Sequence, residues 1–307
     1  MTWSRLIGLV IAMTCFLVSM AAFSSSNAQA NLISISAGGN HTCAVHSDET
    51  LACWGYNMSG ESTPPAGTFK NVSTGSNLSC GIRTNDTIAC WGSNSLGQRN
   101  SPSGTFKSVG VGIVSACGIR TDDTVACWGY NNQGQSTPPP GAFKTVSVGY
   151  EHACGLRLDD SITCWGSNAN GRSTPPLGTF RSVSSGYEHA CGLRADDTVV
   201  CWGGNSTGQA TPPLGAFKSV DSGYFHSCGI RSDDSVACWG DYGFGEAVPP
   251  TGSFDSLSAG GYHSCGIRID DEVVCWGDKY YGEAVAPFEK FRSISAGVNY
   301  QVCGIGI

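Results

Sequence analysis

Short runs of apolar and β-branched residues, separated by clusters of Gly, Asp, Asn and Pro, follow one another from Leu32 to the end of the chain. In one stretch they cover residues 106–110, 116–120 and 124–128, and no run has the 3.6-residue spacing of an amphipathic helix. Runs of this length bounded by turn formers are typical of β-strands. The pattern predicts an all-β protein.

The run at 124–128 is apolar at successive positions, which places Val125 and Cys127 on one face of its sheet and Ala126 and Trp128 on the other. Both faces must therefore be covered. This requirement excludes a sandwich with one solvated face per sheet. It fits blades stacked face to face around an axis, as in a β-propeller.

A repeat of 37 residues organises the chain, because Cys-Trp-Gly recurs without a slip at Cys53, Cys90, Cys127, Cys164, Cys201, Cys238 and Cys275. The units span 32–68, 69–105, 106–142, 143–179, 180–216, 217–253 and 254–290, and a partial unit covers 291–307. A solenoid would also stack such units, but the partial unit favours closure of a ring. We expect a seven-bladed β-propeller. The spacing leaves open whether the partial unit replaces the N-terminal strands, pads them or begins an eighth blade.

Fourteen cysteines form seven pairs ten residues apart: Cys43 and Cys53, Cys80 and Cys90, Cys117 and Cys127, Cys154 and Cys164, Cys191 and Cys201, Cys228 and Cys238, and Cys265 and Cys275. A hairpin whose three-residue loop is 121–123 places Cys117 opposite Cys127, at a Cα separation of about 4.5–5.5 Å that permits a disulfide. We predict one disulfide-bridged hairpin per blade. Gly118 opposite Ala126 leaves room for a tryptophan of a neighbouring blade.

Two other interpretations of the paired cysteines are weaker. Zinc sites use closer Cys or His spacings than ten residues, and free core cysteines are typical of cytosolic proteins. Cys303 has no partner ten residues away and lies one position out of the repeat, where Val302 holds the expected place. We predict that Cys303 is unpaired, with a bridge to another chain or altered pairing of the terminal strands as alternatives.

Composition supports a folded, turn-rich protein: the chain has 307 residues, 42 glycines, 13 prolines, 40% hydrophobic residues and only 13% charged residues. The formal net charge is −7, and no Lys or Arg cluster interrupts this acidic balance. The electrostatic signature of a nucleic-acid-binding protein is missing. We expect no nucleic-acid partner.

Residues 1–30 have the features of a signal peptide. Arg5 precedes an apolar run at 6–23, and Ala28-Gln29-Ala30 has the form that signal peptidase cleaves, which places the mature start at Asn31. Cleavage changes the net charge to −8 and leaves no stable membrane insertion. An uncleaved anchor and a lipoprotein attached through Cys15 are the alternatives. The expected location is secreted, periplasmic or cell-surface, where disulfides persist.

An enzyme is not indicated. Histidines occupy one slot of the repeat, two residues before the first cysteine of each pair: His41, His152, His189, His226 and His263. A residue repeated with the fold is expected to hold a turn by a hydrogen bond rather than to bind metal. The acidic pairs at 122–123, 159–160, 196–197 and 233–234 lie in hairpin turns, which Asp favours. We predict no catalytic residue, metal or cofactor.

The fourth unit reads Gly149-Tyr150-Glu151-His152-Ala153-Cys154-Gly155-Leu156, then Asp159-Asp160, Cys164-Trp165-Gly166-Ser167-Asn168 and Gly171. It resembles the repeat of the regulator of chromosome condensation family. Its paired cysteines and the Pro-Pro before the next unit are similar to the extracellular crinkly-type repeats of plant receptor kinases and their bacterial relatives. The resemblance covers the whole mature chain and implies a seven-bladed propeller. Departures are Asp-Asp or Asp-Glu in place of Asp-Gly at the turn, and Leu78 and Ser115 in the histidine slot.

The resemblance implies several functions, since one fold supports many. Nuclear members of the family act as guanine nucleotide exchange factors on chromatin, and a secreted bacterial member inhibits β-lactamases through loops on a propeller face. The signal segment, the acidic balance and the cysteine pairs argue against the nuclear role. A secreted or periplasmic protein-binding module remains, with a carbohydrate- or cell-wall-binding module and an exchange factor as alternatives.

The departures from the repeat indicate where a partner would bind. Loops that follow the repeat glycine are aromatic only in units four to seven, and we predict a partner-binding arc there: Tyr150, Glu151, Tyr187, Glu188, Tyr224, Phe225 and Tyr262. Tyrosine packed under the loop as a repeat consensus is the alternative. A second cluster is expected on another edge: Asp241, Tyr242, Phe244, Glu246, Asp278, Tyr280, Tyr281 and Glu283. All seven mature-chain tryptophans lie in the Cys-Trp-Gly strand, which disfavours sugar binding. We expect a monomer unless Cys303 links two chains.

Overall fold

The computed structural model describes residues 32–278, 291–297 and 302–306, and these form β-strands, turns and one turn of 3-10 helix at Ala169–Gly171. First strands of the units are β1 (Leu32–Ala37), β4 (Phe69–Thr74), β7 (Phe106–Val111), β10 (Phe143–Val148), β13 (Phe180–Ser185), β16 (Phe217–Ser222), β19 (Phe254–Ala259) and β22 (Phe291–Ala296). Second strands are β2 (His41–His46), β5 (Leu78–Arg83), β8 (Ser115–Arg120), β11 (His152–Arg157), β14 (His189–Arg194), β17 (His226–Arg231), β20 (His263–Arg268) and β23 (Val302–Gly306). Third strands are β3 (Leu51–Gly55), β6 (Ile88–Gly92), β9 (Val125–Gly129), β12 (Ile162–Gly166), β15 (Val199–Gly203), β18 (Val236–Gly240) and β21 (Val273–Gly277).

Several predictions concern residues outside these ranges. They are the signal segment at 1–30, the mature start at Asn31, Cys15, and the members Tyr280, Tyr281 and Glu283 of the second cluster. Within the described ranges, no helix has the length and apolar character needed to cross a bilayer.

Each unit folds into one antiparallel three-stranded sheet, and seven such sheets form the blades of a β-propeller. Strands of the third unit match the predicted ones to within one residue at each end. First strands contact the first strands of the next unit all the way along the chain, so they lie around the axis. The predicted all-β propeller with one bridged hairpin per blade is confirmed.

An incomplete eighth sheet closes the ring. Strands β22 and β23 pair with each other and lie between the seventh blade and the first, in contact with β19 and β20 on one side and β1 on the other. Ser295 Oγ accepts a hydrogen bond of 3.0 Å from the Ala37 amide, and Arg292 donates to the Leu32 carbonyl. The partial unit therefore neither replaces nor pads the N-terminal strands.

Cys303 occupies the slot of a first cysteine, although its number is out of step with the repeat. It pairs with Ser295 as Cys265 pairs with Ser258, because five residues separate the paired Ala296 and Val302, one more than separate the paired Ala259 and Ser264. The prediction that Cys303 is unpaired is wrong: it is buried and disulfide-bonded, and the described residues contain no free cysteine.

The seven predicted disulfides are present, with Cα separations of 4.0–4.1 Å. Cys117 lies opposite Cys127 and Ile119 opposite Val125, as the hairpin register predicts. The separations are shorter than expected because the cysteines form a non-hydrogen-bonded pair, in which opposing Cα atoms approach most closely. The first cysteine of every pair has no exposed surface.

Cores form between blades rather than within them. Cys117 and Ile119 of the third blade pack against Phe143, Ala153 and Trp165 of the fourth. The expectation that a neighbouring tryptophan fills the space beside Gly118 is wrong. Phe106 of the same blade lies against that glycine, and Ile88 of the preceding blade is close to it. Both faces of each sheet are buried in this way, which fits the run of apolar residues in each third strand.

The acidic pairs shape the hairpin turns. Asp122 Oδ1 accepts hydrogen bonds from the amide and the hydroxyl of Thr124, at 3.0 and 2.7 Å, which hold the pKa of Asp122 below its usual value. Asp123 has a φ of 72°, in the left-handed region where the family's repeat has glycine, and Lys107 pairs with its carboxylate. The departure from Asp-Gly thus keeps the turn and adds an ion pair.

A ring of side chains joins the first strands around the axis. In each of seven sheets a serine or an aspartate accepts a hydrogen bond from an amide of the next sheet, as Ser36 does from Thr74 at 3.0 Å and Ser184 from Ser222 at 3.0 Å. The acceptors are Ser36, Ser73, Ser147, Ser184, Asp221, Ser258 and Ser295. In the remaining sheet the equivalent position is Gly110, which has no side chain to accept such a bond. The ring fixes the angle between blades.

Asp221 is the charged member of the ring, and we expect Asp221→Ser to stabilise the protein near neutral pH. Burial raises the pKa of the Asp221 carboxyl despite its hydrogen bonds from the Ala259 amide, the Ser184 hydroxyl and the Ser222 amide. The folded state therefore binds this proton more tightly than the unfolded state. Wild type gains stability as the pH falls through the folded pKa towards the unfolded pKa, by on the order of 1 kcal/mol for each pH unit between these two values.

Urea unfolding of wild type and Asp221→Ser at pH 7.5 and pH 4.5 measures this difference. The variant's advantage at pH 7.5 should shrink at pH 4.5. An advantage that is equal at the two pH values, or no advantage at either, would contradict a raised pKa at Asp221.

A second ring consists of glycines at the ends of the first strands. A Cβ atom at Gly112 would lie 2.5 Å from the Gly149 carbonyl oxygen, and a Cβ at Gly149 would lie 2.5 Å from the Gly186 carbonyl oxygen. The same approach recurs around the axis at Gly38, Gly75, Gly186, Gly223 and Gly260. Glycine at these positions lets neighbouring backbones touch, and it places the loops that follow close to the axis.

Candidate functional site

The predicted arc of tyrosines forms one continuous set of ring contacts. Tyr150 stacks parallel to Tyr187 with centroids 4.6 Å apart. Tyr187 meets Tyr224 edge-on at 5.1 Å, and Tyr224 meets Tyr262 edge-on at 5.6 Å. Tyr150, Tyr187 and Tyr224 each directly follow a glycine of the axial ring, and Tyr262 lies one residue further along its loop, after Gly261. The loops are close to the axis at this point, which brings the four side chains together.

Two phenylalanines extend the arc outwards. Phe225 lies 5.6 Å from Tyr187, and Phe244 lies 6.3 Å from Tyr262. Phe244 and Tyr242 are 59% and 64% exposed, so the arc ends in open aromatic surface. We call this surface the aromatic face; it comprises Tyr150, Tyr187, Tyr224, Phe225, Tyr242, Phe244 and Tyr262.

The sequence predicts that the second cluster lies on another edge of the propeller. In the structure, its described members lie at the same end as the arc. Loops after the first strands and loops after the third strands leave the sheets at the same end, because the second strand runs antiparallel to both. The contact between Phe244 and Tyr262 joins the two sets. The described members of the second cluster therefore belong to the same end of the propeller as the arc.

A buried arginine beside the stack was missed by the sequence analysis. Arg172 is 4% exposed, and its guanidinium nitrogens lie 3.8 Å from Glu151 and 3.8 Å from Glu188. Its slot holds an acceptor in the other described units: Glu61, Gln98, Gln135, Gln209 and Glu246. An alignment of the seven repeats would have shown that Arg172 is the only cation in this slot.

Arg172 makes different hydrogen bonds within its loop from those of the glutamine or glutamate in the same slot of other units. Gln135 Oε1 accepts a hydrogen bond from the amide of Gln133, but a guanidinium has only donors. Arg172 Nε instead donates to the Ala169 carbonyl at 3.1 Å, within the 3-10 turn. Because Arg172 no longer accepts from its own loop, its outer nitrogens extend to Glu151 of its own blade and Glu188 of the next.

Charge on the aromatic face is mainly negative. Burial, followed by Tyr150, Glu188 and Glu151, raises the pKa of Tyr187, so both carboxylates act on the stacked rings. Burial and the nearby Asp241 and Asp278 raise the pKa of Glu246. Burial also raises the pKa of Tyr224. Tyr187 and Tyr224 are therefore neutral phenols at physiological pH, and two carboxylates lie close to Tyr187.

The axial cavity opens beside the arc. It has a volume of about 100 Å³ and is lined by the glycine ring together with Tyr187 and Tyr224. Its lining contains few polar side chains, so it offers a ligand little beyond backbone groups. We assign the recognition chemistry to the surrounding face rather than to this cavity.

The histidines hydrogen-bond to the neighbouring blade, whereas the sequence predicts that each holds its own turn. Nε2 of His41, His189 and His226 lies 2.7–2.8 Å from a serine hydroxyl of the next blade. Burial lowers the pKa of His41 to about 4 and that of His189 to about 3, so these imidazoles are neutral. These histidines link neighbouring blades through buried hydrogen bonds.

Tryptophans take no part in the aromatic face. Trp165 Nε1 donates to the Gln135 carbonyl of the preceding blade at 3.0 Å, and the described tryptophans from the second unit onwards are at most 8% exposed. The face is therefore built from tyrosine and phenylalanine.

Comparison with known families matches six units of this chain to the regulator of chromosome condensation (RCC1) repeat, at residues 32–61, 69–98, 143–172, 180–209, 217–246 and 254–283. Together these segments cover more than half of the chain. A search of curated proteins gives no match.

Solved structures with the same fold include two receptor ectodomains. The chain is similar to the CRINKLY WD40 ectodomain of the Arabidopsis thaliana receptor kinase ACR4, with 29% identity, a TM-score of 0.65 and coverage of 85% of this chain and 100% of that one. The ectodomain of the Physcomitrella patens receptor kinase CR4 has 24% identity, a TM-score of 0.64 and coverage of 81% and 74%. Prp20p of Saccharomyces cerevisiae, with 16% identity, a TM-score of 0.62 and coverage of 90% and 83%, shares the fold alone.

Proposed function

Because the chain belongs to the regulator of chromosome condensation (RCC1) repeat family, we propose that it is a secreted, periplasmic or cell-surface propeller that binds another protein and catalyses no reaction. Similarity to receptor-kinase ectodomains supports an extracellular protein-interaction module. The seven disulfides support an oxidising compartment.

The aromatic face carries this proposal. Tyrosine and phenylalanine supply large, rigid contact areas, and protein interfaces are enriched in them at the positions that contribute most to affinity. Here, rings from four successive blades meet in one surface with exposed aromatic side chains at its outer end. The opposite end carries acidic hairpin turns that are already paired with Lys or Arg, as Lys70 is with Asp86.

We expect substitution of Tyr150, Tyr187, Tyr224 and Tyr262 by Ala to abolish capture of the partner from the envelope and culture fluid of the source organism. Loss of several interface tyrosines should reduce the retained partner by at least about tenfold, since residues of this kind dominate binding energies. Affinity capture with residues 31–307 as bait measures the effect.

The control variant is Leu158→Ser with Ile269→Ser. Both residues are exposed and apolar, and they lie in hairpin turns at the opposite end of the same blades. It should retain the partner. Circular dichroism establishes that both variants fold. Equal capture by all three proteins, retention on polysaccharide in place of a protein, or no saturable capture would each overturn the proposal.

A further inference from the structure

Carboxylates outnumber cations at the aromatic face. Among the described residues, loops of units four to seven at this end carry the carboxylates of Glu151, Glu188, Asp241 and Asp278, the buried carboxylate of Glu246, and one cation, Arg172. The cation is buried beneath the stack and divides its charge between two glutamates. The surface left for a partner is therefore both aromatic and negative.

The two glutamates beside the stack are not satisfied by Arg172. Separations of 3.8 Å permit Coulomb attraction but exceed hydrogen-bond distance. Their side chains are 24% and 35% exposed, so part of each carboxylate faces outwards. Nη1 of Arg172 also has no hydrogen-bond partner among the described residues. A hydrogen-bond donor of a partner could therefore bind to the carboxylates of Glu151 and Glu188.

The rings beside these carboxylates suit a cation as well. Tyrosine rings attract a lysine ammonium or an arginine guanidinium placed over their face, and a neighbouring carboxylate adds to this attraction. The molecule uses the same pairing internally, since Arg157 lies over the ring of Phe143 at 4.7 Å and Arg194 over Phe180 at 5.1 Å.

We propose that the aromatic face binds a basic surface of its protein partner, and that lysine or arginine side chains of that partner rest on the tyrosine rings against the carboxylates of Glu151, Glu188 and Asp241. The inference rests on the proposed function and specifies the chemistry of the partner. Arg172 limits the affinity, because it neutralises part of the charge that attracts the partner.

A peptide titration tests the inference without the natural partner. The probes are three acetylated pentapeptides, Gly-X-Gly-X-Gly-amide, in which X is arginine, its neutral isostere citrulline, or glutamate. Binding is followed by chemical-shift changes of the purified protein. The arginine peptide should bind at least about fivefold more tightly than the citrulline peptide and should weaken with added salt, because exposed charges are screened. The glutamate peptide should not bind.

Two matched variants separate the face from overall charge. Arg172→Gln restores the side chain of the repeat slot and removes the internal cation, so it should tighten binding of the arginine peptide by about threefold. Lys218→Gln makes the same change in net charge at the opposite end, where Lys218 pairs with Asp234, and should leave binding unchanged. Tyr150→Ala with Tyr187→Ala should abolish it.

Three outcomes would overturn the inference. They are equal binding of the arginine and citrulline peptides, equal effects of Arg172→Gln and Lys218→Gln, and no detectable binding of any peptide. Each leaves the proposed function standing if affinity capture still depends on the tyrosines. Loss of that dependence, by contrast, removes the proposed function itself.

Discussion

Reduction of the seven disulfides is expected to unfold the propeller. Each bridge closes a loop of ten residues, and restricting such a loop in the unfolded chain contributes about 2.5 kcal/mol on a chain-entropy estimate. Seven bridges then account for on the order of 15 kcal/mol, which equals or exceeds the whole stability of a typical domain. Urea unfolding with and without reductant, followed by tryptophan fluorescence, measures the difference.

The buried position of the sulfurs determines how this experiment must be done. The first cysteine of each pair is inaccessible, so reductant added to the folded protein should react slowly. Reduction should be carried out in denaturant, and the reduced chain should then fail to refold after dilution. Cys80→Ala with Cys90→Ala, which removes one bridge, should fold with a stability lower by about 2–3 kcal/mol. Refolding of the fully reduced chain to the original midpoint would show that the bridges are dispensable.

Gly112→Ala is expected to destabilise the protein by about 3 kcal/mol, the upper part of the range for overpacking. The added methyl group would lie 2.5 Å from the Gly149 carbonyl oxygen and 2.7 Å from a methyl carbon of Val148. The carbonyl belongs to the backbone of the next blade, so relief requires movement of one blade relative to another. The free energy of unfolding in urea measures the loss.

Gly110→Ala is the matched control, because it adds the same methyl group two residues earlier in the same blade. The nearest atoms there are the Val146 carbonyl oxygen at 3.5 Å and a Val148 methyl carbon at 3.7 Å, which are ordinary contacts. Removal of a strand glycine should raise stability by up to about 1 kcal/mol. If the two variants lose the same stability, the close approach at Gly112 is not what requires glycine there.

The fold could be predicted in detail because one period governs it. The interval of 37 residues determines the blades, and the ten-residue spacing of Cys117 and Cys127 determines the hairpin register. Closure of the ring could not be predicted. The extra residue before Cys303 moves that side chain back into its structural slot, and counting along the chain conceals this shift.

The candidate site was predicted in part. Tyr150, Tyr187, Tyr224 and Tyr262 stand out because they break a repeat, and equivalent loops of a propeller share one end. Arg172 was missed because it lies in a slot that otherwise looks like a turn, far along the chain from both glutamates. The joining of Phe244 to the arc was also missed, because it depends on how far a third-strand loop leans over its neighbour, and spacing carries no such information.

The ring of serine and aspartate side chains that joins the first strands also indicates the order in which contacts between blades form during folding. Ser36 and Thr74 are 38 residues apart, and so are the other pairs of neighbouring blades, whereas the last bond joins Ser295 to Ala37 across 258 residues. Closing the longer loop costs about 1.7 kcal/mol more in chain entropy. Blades can therefore assemble one upon the next from any starting point, and the contact between the eighth sheet and the first forms last. We expect the same junction to open before the others, because no chain segment within the described ring connects its two sides directly.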